Sequence, residues 1–256
     1  MLAGVSVDYY VRLERGNLAG ASESVLDALA NALQLDDAER EHLFSLARAA
    51  GPGRPRSRRS GGTVRAGVQQ VLDAIGDAPA WVRNGRHDIL ASNRMGRALY
   101  APVFADPRRP ANTTRFIYLD PAARDLFVDW DRVANDAAAM LRLEAGRNPH
   151  DRELVQLVGE LSTRSELFRR RWASQDVVFH RSGRKRLRHP VVGQLELSFE
   201  SMELPSEPGL YLNVYTAAAG SPAADALRLL ASWAATQEVD EPTVGLQRTT
   251  ESRREA

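Results

Sequence analysis

Leu2-Ala3-Gly4-Val5-Ser6-Val7-Asp8-Tyr9-Tyr10-Val11-Arg12-Leu13-Glu14-Arg15-Gly16 is the stretch on which the N-terminal fold turns. Ala3 to Ser6 suits a tight turn between two helices. Gly4 permits the left-handed backbone such a turn often uses, and Ser6 can cap the helix that follows. Val7, Tyr10 or Val11, and Glu14 recur at helical spacing, with Leu13 expected to face inward.

Reading outward, residues 1–50 read as helical. Ser22 to Leu35 carries a stripe of Val25, Leu26, Leu29, Ala32 and Leu33. Asp36 and Glu39 have the spacing of a capping box, opening a helix that buries Leu43, Phe44 and Leu46 and stops at Gly51-Pro52. Residues 51–62 hold Gly, Pro and Ser with Arg54, Arg56, Arg58 and Arg59, and nothing that could offset the entropy of ordering. They are expected to form a flexible basic tether; contact with DNA phosphates is a second use of the same charges.

A second domain is expected over 63–235. Val64, Val68, Val71, Leu72 and Ile75 give one helical face. Trp81-Val82, Asn84-Gly85 and Ile89-Leu90 read as a hairpin around a type I′ turn. Asn93 to Tyr100 reads as a short helix, Phe116 to Leu119 as an apolar run, and Asp120-Pro121 as a capped helix start. Three helices follow over 129–174, broken near 146–149 and 162–165. Val177 to Phe179, Arg184 to Arg188, Gln194 to Met202 and Leu210 to Thr216 read as strands. In the third of these Leu195, Leu197 and Phe199 alternate with polar residues, so one face is buried. Ser221-Pro222 starts a last helix with Leu227, Leu229, Leu230 and Trp233, and residues 236–256 are expected to be a disordered tail.

Composition narrows the function classes. The 256 residues suffice for two domains. With no cysteine, disulfides, thiolate zinc sites and cysteine nucleophiles are excluded, which fits a cytoplasmic protein. No window has the apolar length of a membrane span, and no secretory signal is expected. The net charge of +1 names no partner by itself. Lys185 is the only lysine, and the arginine-rich, alanine-rich usage matches what a GC-rich coding sequence produces. No Walker loop, GxGxxG, GxSxG or HExxH occurs, and the five histidines lack metal-ligand spacing. No catalytic residue, metal or cofactor is therefore expected. Asp125, Asp129 and Asp131 read as helix surface and cap, and Asn112-Thr113-Thr114 as a sequon without a secretion signal.

Two resemblances join these observations. The AGVS turn and the helix ending in LERG resemble the Xre-type helix-turn-helix family. The resemblance maps base-edge contacts to Val7, Asp8 and Tyr9, and phosphate contacts to Ser6, Arg12 and Arg15. That family carries a helix and most of a second ahead of this point, so the resemblance implies an N-terminally incomplete reader. The second domain resembles the ligand-binding domain of the MmyB-like regulators. The match runs in order through Pro79-Ala80-Trp81-Val82, Leu90 to Arg94, Ala98 to Pro102, Phe116 to Pro121, Leu157 to Ser162 and His189 to Gly193. It implies a PAS-like fold and a pocket for fatty acyl chains.

The expected fold class is thus a mainly α helix-turn-helix remnant plus an α+β PAS-like domain with an antiparallel sheet. Candidate pocket walls are Trp81, Leu90, Leu99, Phe116, Phe127, Phe168, Trp172, Phe179, Leu197 and Leu212, each of which also suits an ordinary core. Candidate polar anchors are Asn93, Arg169 and His189. The family pattern has a histidine near Gln175, where this chain has none. Arg184, Arg186 and Arg188 are expected on one solvated face, paired across strands with Glu196 and Glu200. The implied partners are double-stranded DNA and a small apolar ligand such as a fatty acid, with a homodimer left open and no membrane. The competing readings are an adaptor that has lost autonomous DNA binding and acts through a partner, and an enzyme on the same fold.

Overall fold

A computed structural model describes residues 7–14, 21–36, 39–40, 43–44, 46–47, 64–174 and 182–240. The N-terminal region supplies α1 (Val7–Glu14) and α2 (Glu23–Ala32). Leu13 is buried on α1, as its place in the period requires. Ser22 caps α2, its Oγ accepting from Val25 N. Leu26, Leu29 and Ala30 form the buried stripe, whereas Leu33, past the last turn, is exposed. The capping box closes in both directions: Asp36 N donates to Glu39 Oε2 and Glu39 N to Asp36 Oδ1, each at 2.9 Å. Leu43 and Phe44 are half-buried and Leu46 is exposed. Gly51-Pro52 and the basic tether lie outside the described residues.

The second region is built on a six-stranded antiparallel sheet in the order β3-β2-β1-β6-β5-β4. Its strands are β1 (Ala80–Asn84), β2 (Asp88–Ser92), β3 (Ala111–Asn112), β4 (Ser182–His189), β5 (Gly193–Glu203) and β6 (Leu210–Thr216). The period-two alternation sorts the side chains by face. Ala80, Val82, Leu210, Leu212 and Val214 meet α3 (Ala66–Ala74) through Val64, Val68, Leu72 and Ile75. Val71, expected on that stripe, sits about 100° around the helix from Leu72 and is exposed.

The opposite face carries the main core. Trp81, Leu187, Leu195, Leu197 and Tyr215 pack there against α4 (Arg94–Leu99), α5 (Ala101–Phe104), α6 (Thr113–Leu119), α7 (Ala122–Leu126), the start of α8 (Trp130–Arg147) and α11 (Pro222–Asp240). The apolar run Phe116 to Leu119 is helical, because Asn112 caps α6 by accepting from Arg115 N. Ala223, Ala226, Leu227, Leu230 and Ala234 line α11, which leaves Leu229 in solvent. That helix runs to Asp240 and so takes in the first five residues of the expected tail; the rest of the tail is outside the described residues.

A second cluster joins α8, α9 (Arg152–Arg164) and α10 (Glu166–Ala173) around Leu141, Leu157, Leu161 and Phe168. Asp151 and Ser165 cap the last two helices, which is why the breaks fall where the sequence placed them.

The hairpin departs from the expected two-residue turn. Its loop is Gly85-Arg86-His87, and the positive φ falls on His87 at 67° rather than on Asn84-Gly85. His87 N donates to Asn84 O, while Asn84 Oδ1 accepts from both Arg86 N and Asp88 N. The asparagine side chain thus organises the loop from outside it. Gly85 lies under the Glu144 side chain: a Cβ there would stand 2.2 Å from its carboxyl carbon, so the carboxylate would have to move aside.

Candidate functional site

Between the main-core face of the sheet and α6 and α8 the structure forms a cavity of about 330 Å³, partly open to solvent and at the small end of ligand pockets. Its strand-side wall is aromatic because alternate residues of paired strands face the same way. Trp81 stacks on Tyr215, with centroids 4.9 Å apart and planes 24° apart, and Phe199 continues the stack at 5.7 Å. Tyr100 and Phe127 close one side, and Ile117, Val133 and Met140 come from the helices. The Tyr100 and Tyr215 hydroxyls satisfy each other at 3.1 Å. Burial, then the neighbouring Tyr215, pushes the Tyr100 phenol well above its ordinary pKa, so this wall stays neutral.

Arg83, Lys185 and His87 bring basic groups to the same cavity. Arg83, two residues after Trp81 on β1, donates to Asn84 O at 3.2 Å and lies 4.8 Å from the Tyr211 ring. Burial lowers its pKa, against the opposing pull of Tyr211 and Glu144. Lys185 on β4 holds its Nζ 5.2 Å from the Phe199 centroid and 5.8 Å from those of Phe127 and Tyr215. His87 is buried, its Nδ1 2.6 Å from Thr114 Oγ1. Its Nε2 is also buried and has no hydrogen-bond partner among the described residues. Desolvation first, then the charges of Arg83 and Lys185, holds its pKa well below the usual histidine range, so the imidazole is neutral. Arg132, Arg184 and Asp136 also line the space; Arg132 donates to Arg184 O, and Arg184 pairs with Glu196 at 3.2 Å.

Of the expected wall residues, Trp81 and Phe127 line this cavity. Leu99, Phe116 and Leu197 belong to the solid core beside it, and Leu90 is half-buried outside its lining. Phe168 and Trp172 stack on each other in the second cluster, and Leu212 lies on the opposite face of the sheet under α3. Phe179, its expected strand and Gln175 fall outside the described residues.

The three expected anchors are placed elsewhere. Asn93 caps α4, its Oδ1 accepting from Gly96 N and Ala80 N and its Nδ2 donating to Ala78 O. His189 is bonded at both nitrogens, to Ala98 O and to Val191 N, which pins the β4–β5 turn to α4. Arg169 is exposed on α10. Two of these polar groups are used up by backbone, as buried polar groups usually are.

Arg83, Lys185 and His87 escaped the sequence reading. A signal existed for the first two: Arg83 shares the period-two face of Trp81, and Lys185 alternates with Arg184 and Arg186. Those arginines and Arg188 are exposed on one face, as expected. Arg184 pairs with Glu196, but Arg186 pairs with Asp129 at the start of α8, and Glu200 sits opposite Ser182, outside the expected pairing.

On α1, Arg12 is exposed on the helix that buries Leu13. Val7, Asp8 and Tyr9 form its first turn, while Ser6 and Arg15 fall outside the described residues. Among the described residues no helix is long and apolar enough to cross a membrane, and no His/Asp/Glu group could hold a metal ion.

A helical N-terminal region in one chain with a cavity-bearing α+β domain is an arrangement that fits a two-part regulator, a DNA reader with a small-molecule receptor. Residues 64–230, well over half the chain, match the MmyB-like transcription regulator ligand binding domain, and residues 1–43 match a helix-turn-helix domain. The chain belongs to the MmyB-like transcription regulators. Both families are of regulator type rather than enzymatic. A comparison with curated proteins returned no match.

Proposed function

We propose that this chain is a cytoplasmic transcription regulator that binds a fatty-acid-like amphiphile in the cavity and double-stranded DNA through α1. The observation that carries the ligand half is the cavity walled by Trp81, Tyr100, Phe127, Phe199 and Tyr215. Such a wall favours an apolar body. Ligand occupancy regulates only by favouring one conformation of the chain over another. In the DNA half, Arg12 contacts phosphate and the first turn of α1 contacts base edges, which accords with the helix-turn-helix match.

Native mass spectrometry of the purified full chain tests the receptor role. Retention of a small amphiphile, displaced by added octanoate, is the expected result; failure of any acyl compound to bind or to raise Tm would refute it. Electrophoretic mobility shifts across a salt series test the reader. Steep salt dependence is expected, and an oligomer without salt-sensitive DNA binding would establish an adaptor instead.

A further inference from the structure

His87 sits in the left-handed region at a φ of 67°, which non-glycine residues seldom occupy, although histidine does so more readily than most. A dense polar network holds the loop in that state. Arg86 pairs with Asp88 at 3.1 Å, Asp151 at 2.9 Å and Glu153 at 2.6 Å. Asn112 Nδ2 donates to Arg86 O and to Asp88 Oδ1. The imidazole so fixed lines the cavity, yet only one of its nitrogens is satisfied. A side chain fixed this firmly against the cavity, with a buried polar nitrogen unpaired among the described residues, points to a bound group that completes it.

The nearby charges indicate what that group is. Of the four cationic side chains in the lining, Arg184 pairs with Glu196 and Arg132 with Asp129, which leaves Arg83 and Lys185 beside the one lining carboxylate, Asp136. The ammonium of Lys185 has aromatic rings around it and no carboxylate partner among the described residues. If the Thr114 hydroxyl donates to His87 Nδ1, the neutral ring carries its proton on Nε2 and can donate it. An ionised carboxylate offers two acceptor oxygens to such donors, whereas an alcohol or ester brings no charge to Lys185 and Arg83.

We propose that His87 is the specificity-determining residue of the cavity: it donates from Nε2 to one oxygen of a ligand carboxylate whose charge is met by Lys185 and Arg83. The ligand class is then an apolar-tailed monocarboxylate, with the head at the β1–β2 loop. This rests on the reading of the cavity as a ligand site.

Titration calorimetry on the full chain with octanoate and octan-1-ol separates the two. Wild-type protein is expected to prefer octanoate by about tenfold or more, the worth of one charge-assisted hydrogen bond. His87→Asn suits the left-handed backbone and withdraws the Nε2 donor. It should remove about tenfold of octanoate affinity and leave octanol unchanged. Lys185→Met should abolish the preference, and Lys185→Arg should restore part of it. Equal affinity for the two ligands, or a preference that survives both His87→Asn and Lys185→Met, overturns the head-group assignment and leaves the cavity a ligand site. Binding of neither ligand, nor of longer acids and alcohols, overturns the cavity reading itself.

Discussion

Gly96→Ala is the sharpest test of how the sheet carries the cavity. Gly96 lies inside α4, where alanine would ordinarily stabilise the helix by about 1 kcal/mol. Here the added Cβ would stand 2.4 Å from the Ala80 carbonyl oxygen and 2.9 Å from Ser92 Oγ. The serine can rotate away, but the carbonyl cannot. Ala80 belongs to β1, which is paired on both sides and accepts from Asn93 N through the same oxygen. Relief therefore requires α4 to move off the strand by about 1 Å, judged against ordinary contact distances. Overpacking of this kind costs about 1–3 kcal/mol, toward the upper end against backbone. Set against the helix gain, the net expected loss is about 2 kcal/mol, which lowers Tm by about 4–8 °C at this domain size. Gly159→Ala is the control: it lies inside α9 with nothing within 4 Å of the new Cβ, and its Tm should rise slightly. Thermal unfolding followed by circular dichroism reads both. Shifts of the same sign in the two variants would refute the packing argument.

Three further outcomes are expected. Because His87 is neutral in the folded chain and binds a proton near pH 6.5 when unfolded, the unfolded state holds more protons below that pH. Stability is full above about pH 6.5 and falls with acidification, with His189 adding in the same direction. Urea midpoints at pH 7.5, 6.5 and 5.5 should decline, less so in His87→Asn; a midpoint that rises with acid contradicts this. Arg86→Met strands the nearly buried Asp88 carboxylate and is expected to cost about 3–5 kcal/mol. Adding Asp88→Asn should recover part of that loss in urea denaturation, and no recovery would mean that the charge is not the cause. Arg12→Ala, on the exposed face of α1, should weaken DNA binding across sequences and reduce the slope of log K against log salt by about one; an unchanged slope removes Arg12 from the phosphate contacts.

Local features were legible because their causes sit within a few residues of one another. The Asp36–Glu39 box and the alternation of Leu195, Leu197 and Phe199 closed as the spacing required. The same proximity explains the errors. Val71 and Leu229 are apolar residues one step off a stripe, and only a neighbouring surface decides which side of a helix is covered. Asn93 and His189 are polar residues in the right domain, but backbone groups brought up by folding had already claimed them.

By its order of residues alone, this chain determined its helix starts, its strand faces and its resemblance to a two-part regulator. The location of the cavity was decided only by tertiary structure. Pairing β1 with β6 sets Arg83 and Trp81 in one sheet with Lys185, about a hundred residues away. Leu197 and Phe199 share one strand face, yet one fills solid core and the other lines a void. Periodicity states which way a side chain points; whether it meets an atom or a gap depends on what distant segments bring opposite it.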